Sequence, residues 1–470
     1  MYNFLMFLIN AFQIIIVVYF IVKIAIYTIF QILSFKSIYD YSVLISQTKI
    51  KMILANTFYR PISIIVPAYN EQETIIANIY SLIRLHYPEF ELIVVNDGSK
   101  DETLKRIINE FKMVRIDKPI KKVLKHQEIN GIYVSESLSN LILVNKKNGG
   151  KADALNAGIN ISKYPIFCSI DADSLLENDS LLRAINLFLE HKEMIAVGGV
   201  VKILNGCTTE EGIVKDIKAP KNIIEAFQCI EYVRGFLSGR TTWNTLGNSL
   251  MIISGAFGIF RKDLVVNLGG YRATIGEDMD LVVRLHKHCR LNKIPYKIFS
   301  IPVPVCFTQV PSNINALIKQ RNRWHRGLID SLLHSKTIFF NPRYGSVGML
   351  AFPYFVFIEA FGPFVEIIGY IGLVFLYIFG YLSFEFALLF FIVSILWGML
   401  LNLSSILLDT LLYRKYADFK SIILLCIYGF LENLGYRQLL LIDRFLATFQ
   451  FTRKKWDKAE RKTIEVSRFN

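Results

Sequence analysis

Apolar positions along the chain follow two different rules. From residue 4 to residue 35 they run almost without a break, FLMFLINAFQIIIVVYFIVKIAIYTIFQILSF, with Lys23 the one charge. At about 1.5 Å of rise per residue, such a stretch makes a helix long enough to cross a hydrocarbon layer of about 30 Å. It lacks the basic leader and small-residue cleavage site of a signal peptide, so a spanning helix over residues 1–36 is expected. From Arg60 the pattern changes to short β-rich runs: ISIIV (62–66), ELIVV (91–95), LILV (141–144) and IFCSI (166–170). Stretches with helical spacing, such as EQETIIANIYSLIRL, lie between them. This alternation predicts a parallel sheet covered on both faces, with ligands gathered at the carboxyl ends of its strands. The apolar pattern returns near Ser346 and lasts to about Phe451. Gly362 and Pro363 interrupt it, residues 384–408 form a clear span, and residues 421–451 read more weakly because Glu432, Arg437, Asp443 and Arg444 sit among them. Those charges belong in a bundle interior or water-filled path, or else on helices lying at the interface.

The chain therefore divides into a helix (1–36), an α/β domain (57–330), a second apolar region (344–452) and a basic tail (453–470). A hydrophobic content of 53% in 470 residues exceeds what one soluble core needs, which agrees with that division. Lys36, Lys49, Lys51 and Arg60 follow the first span, and Arg414, Lys415 and Lys420 follow the 384–408 span. Arg453, Lys454, Lys455, Lys458, Arg461 and Lys462 fill the tail, while the 381–386 turn carries no lysine or arginine. By the positive-inside preference the α/β domain and the tail are cytoplasmic and the turn is outside, as in a multi-pass protein of the cell (inner or plasma) membrane. The net charge of +14 is then largely a matter of topology, and no nucleic acid is called for. The six cysteines are scattered, with no CxxC pair, which supports neither a zinc cage nor a disulfide framework.

Each short strand run ends in a polar cluster: PAYNE (67–71), NDGS (96–99), NKKNGGKADA (145–154) and DADS (171–174). Asp97, just before Gly98, can accept hydrogen bonds from a nucleobase or ribose, or can act as a turn aspartate capping the next helix. Lys151, behind Asn148-Gly149-Gly150, can bring a cation to a phosphate or stand as a solvated loop lysine. Asp171 and Asp173, at i and i+2, leave a strand end on one side, where only a cation or solvent makes their proximity tolerable. The pair suits a divalent cation, Mg2+ or Mn2+, bridging diphosphate oxygens; the alternative is an exposed turn.

The ordered set Asp97, Asp171-Ala172-Asp173, Gly276-Glu277-Asp278 and Gln320-Arg321-Asn322-Arg323-Trp324 resembles the membrane-embedded, inverting family 2 glycosyltransferases, a group that includes cellulose, hyaluronan and poly-N-acetylglucosamine synthases. The likeness is close over about residues 60–330 and general in the flanking spans. Its specific part is Q-R-x-R-W, which marks the processive polymer makers. The resemblance implies a GT-A fold, an α/β Rossmann-like nucleotide-sugar domain inserted between N-terminal and C-terminal transmembrane helices. It implies a UDP-sugar donor, a polysaccharide acceptor, a lipid bilayer and a divalent cation, and leaves an accessory export subunit open. Pro67, Ala68, Tyr69, Glu71 and Asp97 would hold the nucleoside, and Lys151 would lie near the diphosphate. Asp173 would be the metal ligand, with Asp171 close to the ribose and phosphates. Asp278 would be the general base, with Glu277 beside it on the substrate side. Gln320, Arg323 and Trp324 would sit where diphosphate and acceptor sugar meet.

The reading that follows is inverting transfer of a sugar to a growing polysaccharide, with an N-acetylglucosamine polymer as the first expectation for the product. The runner-up is transfer of a single sugar to a polyprenyl phosphate or glycolipid. The presence of every acidic position argues against a degenerate, non-enzymatic anchor. Three features depart from the family pattern. Gly276 replaces the threonine of T-E-D, Ser174 stands where some synthases carry a histidine ligand, and the charged residues 115–140 match no motif and read as a surface excursion. By itself GEDMDLVVRLH also reads as a helix start, and ALIKQRNRWHRGLIDSLL as a basic amphipathic helix at the membrane surface with His325 interfacial or solvated. FQCIEYVRGFLSGR (227–240) reads as a helix over the site, and Gly255 and Gly258 as points of close backbone approach.

Overall fold

In a computed structural model that describes residues 2–47, 59–210, 212–412 and 418–451, the middle of the chain folds around a ten-stranded sheet. Its strands, with two more in a separate ribbon, are β1 (Ile62–Ala68), β2 (Phe90–Asp97), β3 (Met113–Ile116), β4 (Ile129–Ser135), β5 (Leu141–Lys146), β6 (Ile166–Ser169), β7 (Ser174–Leu176), β8 (Met194–Ile203), β9 (Thr208–Glu210), β10 (Ile213–Asp216), β11 (Gly258–Arg261) and β12 (Lys297–Thr308). The order across the sheet is β3-β4-β5-β2-β1-β6-β11-β8-β12-β7, and β9 pairs with β10 alone. The four apolar runs seen in the sequence are β1, β2, β5 and β6, and they pair in parallel as expected. Their side chains alternate between two cores: Ile64, Val66, Leu92, Val94, Leu141 and Leu143 point to one, and Ile65, Ile93, Val95, Ile142 and Val144 to the other. Two buried faces explain why these strands are apolar throughout rather than alternating.

The parallel part is the centre of a sheet that is mixed as a whole. β11 runs antiparallel between β6 and β8, β7 runs antiparallel at one edge, and β3 and β4 form an antiparallel hairpin at the other. The hairpin accounts for much of residues 115–140: its second strand continues the sheet, so this segment is not a mere surface excursion.

The first helix extends from Tyr2 to Gln47, beyond the expected limit at residue 36. Its later turns have a second task, since Ile38 and Tyr41 enter the first core and Tyr41 stacks on Phe299 of β12. Among the described residues three helices are long and apolar enough to cross a membrane: Met6–Leu44, Val347–Ile378 and Phe384–Leu412. Gly362 and Pro363 do not end the second; Pro363 stands in the first turn of the segment Gly362–Ile378, where a missing N–H is tolerated. Phe419–Leu431 and Tyr436–Thr448 form a pair bent by 55°, a broken span or a re-entrant loop by length and composition. A buried ion pair, Lys202 Nζ to Asp409 Oδ2 at 2.9 Å, ties β8 to the end of the Phe384–Leu412 helix. Lys49, Lys51, Arg414, Lys415 and the basic tail 453–470 lie outside the described residues.

Candidate functional site

Four strand ends open into one cavity of about 1200 Å³, which continues between the apolar helices. Pro67, Ala68, Tyr69, Glu71, Asp97, Lys151, Asp171, Asp173, Glu277, Asp278, Gln320, Arg323 and Trp324 all line it, so every candidate residue from the sequence comes together in one place. At its inner end the walls are Lys23, Tyr27 and Gln31 of the first helix, with Glu366, Glu432, Arg437 and Arg444 of the later ones. Lys23 pairs with Glu366, Arg444 with Glu359 at 3.0 Å, and Arg234 with Glu432 at 3.4 Å. Three of the charges that weakened the 421–451 pattern therefore face this interior, the reading in which such groups line a polar path.

Asp97, at the end of β2, is buried, and its carboxylate is occupied by the chain itself. Gly149 N–H and Gly150 N–H donate to it at 3.0 and 2.7 Å, and Asn148 Nδ2 donates to its backbone and side-chain oxygens. The ammonium of Lys146, fully buried, bridges Asp97 and Asp153. Asp97 thus shapes the NGG turn from which Lys151 begins the helix Lys151–Ile161. Lys146 was missed in the sequence, although a signal was present: Leu92-Ile93-Val94-Val95-Asn96-Asp97 and Leu141-Ile142-Leu143-Val144-Asn145-Lys146 have the same form, and the pairing aligns Asp97 with Lys146. Glu71 closes the neighbouring strand end, accepting from Thr74 Oγ1 at 3.0 Å while its N–H donates to Thr103 Oγ1 at 2.8 Å.

The two aspartates do not share a strand face, because β6 stops at Ser169 and residues 171–173 form a turn in which Ser174 N–H donates to Asp171 O at 3.1 Å. The turn separates their roles. Asp173 is buried beside Ser174 Oγ at 3.4 Å, whereas Asp171 reaches out to Lys151 Nζ at 2.6 Å. Lys151 also lies 3.2 Å from Glu277 Oε1. Burial alone would favour the neutral amine, but Asp171 and Glu277 outweigh it and hold Lys151 protonated well above the ordinary lysine range. Burial pushes the Glu277 carboxyl up and Lys151 opposes it. A Cβ at Gly255 would stand 2.5 Å from Lys151 Nζ, so the absence of a side chain there gives the ammonium its place; at Gly258 a Cβ would instead meet the core side chains of Phe260 and Ile253.

Glu277 and Asp278 begin the helix Glu277–Leu291, whose first turn holds three acids and whose last turn holds His288 and Arg290, as the helix dipole favours. The helix Ile314–His334, capped by Asn313 Oδ1 on Ala316 N–H at 2.9 Å, carries Gln320, Arg323 and Trp324. The two helices meet where Gly276 faces Gly327: a Cβ on Gly276 would come within 2.7 Å of the Gly327 carbonyl. This contact explains the missing threonine. Trp324 is 44% exposed, with the Arg321 guanidinium 4.1 Å from its ring centroid. His325 is neither interfacial nor solvated: it is buried against Thr448 Oγ1 at 2.8 Å, and burial with Arg444 nearby pushes its pKa down to about 3. The segment 227–240 forms the expected helix, Ile223–Val233, followed by a wider turn, and adds Glu231, Tyr232 and Arg240 to the cavity. Arg240 lies on the Phe236 ring at 3.8 Å.

No group of three or more His, Cys, Asp or Glu side chains that could cage a metal occurs among the described residues. A hard divalent ion of the kind that takes one or two carboxylates and completes its shell with substrate phosphates and water needs no such group, and the carboxylate of Asp173 lines the cavity.

Residues 63–269 match the family model described as glycosyl transferase family 2. Poly-beta-1,6-N-acetyl-D-glucosamine synthase of Staphylococcus epidermidis is 30% identical over 273 residues, and that of Staphylococcus aureus (strain COL) 29% identical over the same length. In each case the match covers 58% of this chain and 55% of the relative, so the chain spans about half the length of the curated relatives it matches. A solved mannosyltransferase of Pyrobaculum calidifontis superposes with a TM-score of 0.49 at 17% identity, over 87% of this chain and 99% of that one. With its strand-end cavity, mixed α/β sheet and flanking apolar helices, the chain carries a glycosyl transferase family 2 domain at residues 63–269.

Proposed function

We propose that the protein is an inverting glycosyltransferase that moves a sugar from a UDP-sugar to a growing polysaccharide at the cytosolic face of a membrane. The observation that carries this reading is the single cavity in which the 171–173 turn, Lys151, Asp278 and the Gln320–Arg323–Trp324 face meet before it passes between the apolar helices. The synthases it resembles make a β-1,6-linked N-acetylglucosamine polymer by name, which supports UDP-N-acetylglucosamine as donor.

In this reading the NGG turn shaped by Asp97, with Pro67, Ala68, Tyr69 and Glu71, binds the nucleoside. A divalent cation held by Asp173, with Asp171 beside it, would neutralise charge on the departing diphosphate. Lys151 and Arg323 add positive charge at the same place. Trp324 offers a flat apolar surface for the acceptor ring, which fixes its hydroxyl for attack. The carboxylate of Asp278 takes the proton as the acceptor oxygen bonds to the donor's anomeric carbon and the bond from that carbon to the diphosphate breaks, a contribution of about 10² to 10⁴ in rate. A polar path beyond Trp324 gives the lengthened product somewhere to go without release, which favours a processive enzyme.

The test is mass spectrometry of products formed by the purified full chain in lipid, offered UDP-glucose, UDP-N-acetylglucosamine and UDP-glucuronate separately. A ladder of polymers from one donor is expected. A single added sugar would overturn processivity, and no transfer from any of the three would overturn the reading of the donor class.

A further inference from the structure

Arg321 sits in the middle of the motif helix and is 5% exposed, its guanidinium engaged by neighbouring side chains. Its Nη2 donates to Glu231 Oε2 at 2.7 Å and its Nη1 to Gln320 Oε1 at 3.1 Å, while its guanidinium covers the Trp324 ring. The same Glu231 oxygen accepts from Tyr436 OH at 3.1 Å. Tyr232, the next residue, brings its ring to 6.4 Å from Trp324. One carboxylate therefore joins three helices: Ile223–Val233, which carries it, Ile314–His334, which carries the motif, and Tyr436–Thr448 of the bent apolar pair.

Arg321 covers the Trp324 ring and Tyr232 flanks it. A ring 44% exposed at a cavity wall gains its orientation from the group stacked against it, and a cation over an indole is among the stronger contacts of that kind. We propose that Glu231 is a positioning residue for the acceptor: it holds Arg321 in place, and Arg321 in turn sets the Trp324 ring and the Gln320 amide. The contact of Tyr436 with the same oxygen makes acceptor binding depend on how the bent apolar pair is seated. This inference rests on the reading of Trp324 as the acceptor surface and deepens it.

Two readouts separate the two ideas. The first needs no turnover: in the full chain in lipid nanodiscs, the tryptophan emission lost in Trp324→Phe is followed against acrylamide. Glu231→Ala should make that component more easily quenched, and Glu231→Gln, whose amide oxygen still accepts from Arg321, should resemble wild type. Unchanged quenching in Glu231→Ala would overturn the latch whatever the enzyme's chemistry. The second readout is steady-state transfer to an N-acetylglucosamine oligomer. Glu231→Ala should raise the acceptor KM about tenfold, the size of one well-placed cation–π contact, with UDP affinity unmoved. In a Trp324→Ala background it should add nothing further, since the two act as one unit. Losses that multiply, or a fall in kcat with acceptor KM unchanged, would overturn the proposal, whereas absence of transfer in wild type would count against the function and leave the quenching result to decide the latch.

Discussion

Lys151 is the point on which the polar corner balances, and removing its charge gives the sharpest structural test. Its side chain is 17% exposed, and the ammonium stands between the side chains of Asp171, 30% exposed, and Glu277, 6% exposed. In Lys151→Met the stem is kept and both carboxylates lose their partner. Asp171 can turn to water in the cavity, so its loss is small, but Glu277 cannot. Breaking a buried pair from one side costs about 3–5 kcal/mol, and the solvent at Asp171 lowers the figure here to about 3 kcal/mol. For a domain of this size that is a fall in Tm of about 6–12 °C. Thermal unfolding of the detergent-purified chain measures it, and the decisive variant is the double substitution Lys151→Met with Glu277→Gln. Removing the stranded charge should restore most of the lost Tm. A double variant no better than Lys151→Met would mean that the lysine acts through something other than Glu277, and an unchanged Tm in Lys151→Met would refute the electrostatic account of the corner.

Other expectations follow from the same geometry. Because burial raises the Glu277 pKa, the folded state binds its proton more tightly than the unfolded one; this contribution is fully present below the ordinary glutamate value of 4.5 and is lost as pH rises through the folded value, so Glu277→Gln should flatten that part of the stability profile relative to wild type. Gly276→Thr, although it restores the family's residue, drives a side chain into the Gly327 backbone and should cost about 1–3 kcal/mol in unfolding experiments; a neutral result would show that the two helices can part freely. Excess chelator should stop transfer, with Mg2+ or Mn2+ restoring it in wild type and failing to do so in Asp173→Asn; activity that persists in chelator would remove the metal from the account.

Much of the site was legible because its residues stand at strand ends, where an abrupt change from apolar to polar marks both the end of the strand and the place of the ligand. What could not be read was how each group is used. The spacing of Asp171 and Asp173 suggested a shared strand face, but β6 ends at Ser169 and a turn sends one carboxylate inward and the other to Lys151. Asp97 reads as a ligand-facing acid, yet it meets Lys146 and two glycine N–H groups, because a parallel register places two equivalent strand ends side by side. The antiparallel β3–β4 hairpin was hidden by the charged connection 117–128 between its strands, which themselves carry only Arg115. His325 looked solvated because its burial is made by a helix more than a hundred residues later, a contact no local pattern contains. Gly276 reads as the loss of a hydroxyl, and its reason, the Gly327 backbone against it, lies about fifty residues further along the chain.

The central claim is that Asp278 receives the acceptor's proton in a cavity that already holds the donor. The most direct measurement is single-turnover transfer from labelled UDP-N-acetylglucosamine by the full chain in lipid, for wild type and Asp278→Asn, with UDP affinity measured on the same preparations. The account predicts a rate lower by about 10² to 10⁴ with UDP bound within a few fold of wild type. Undiminished transfer by Asp278→Asn would contradict it.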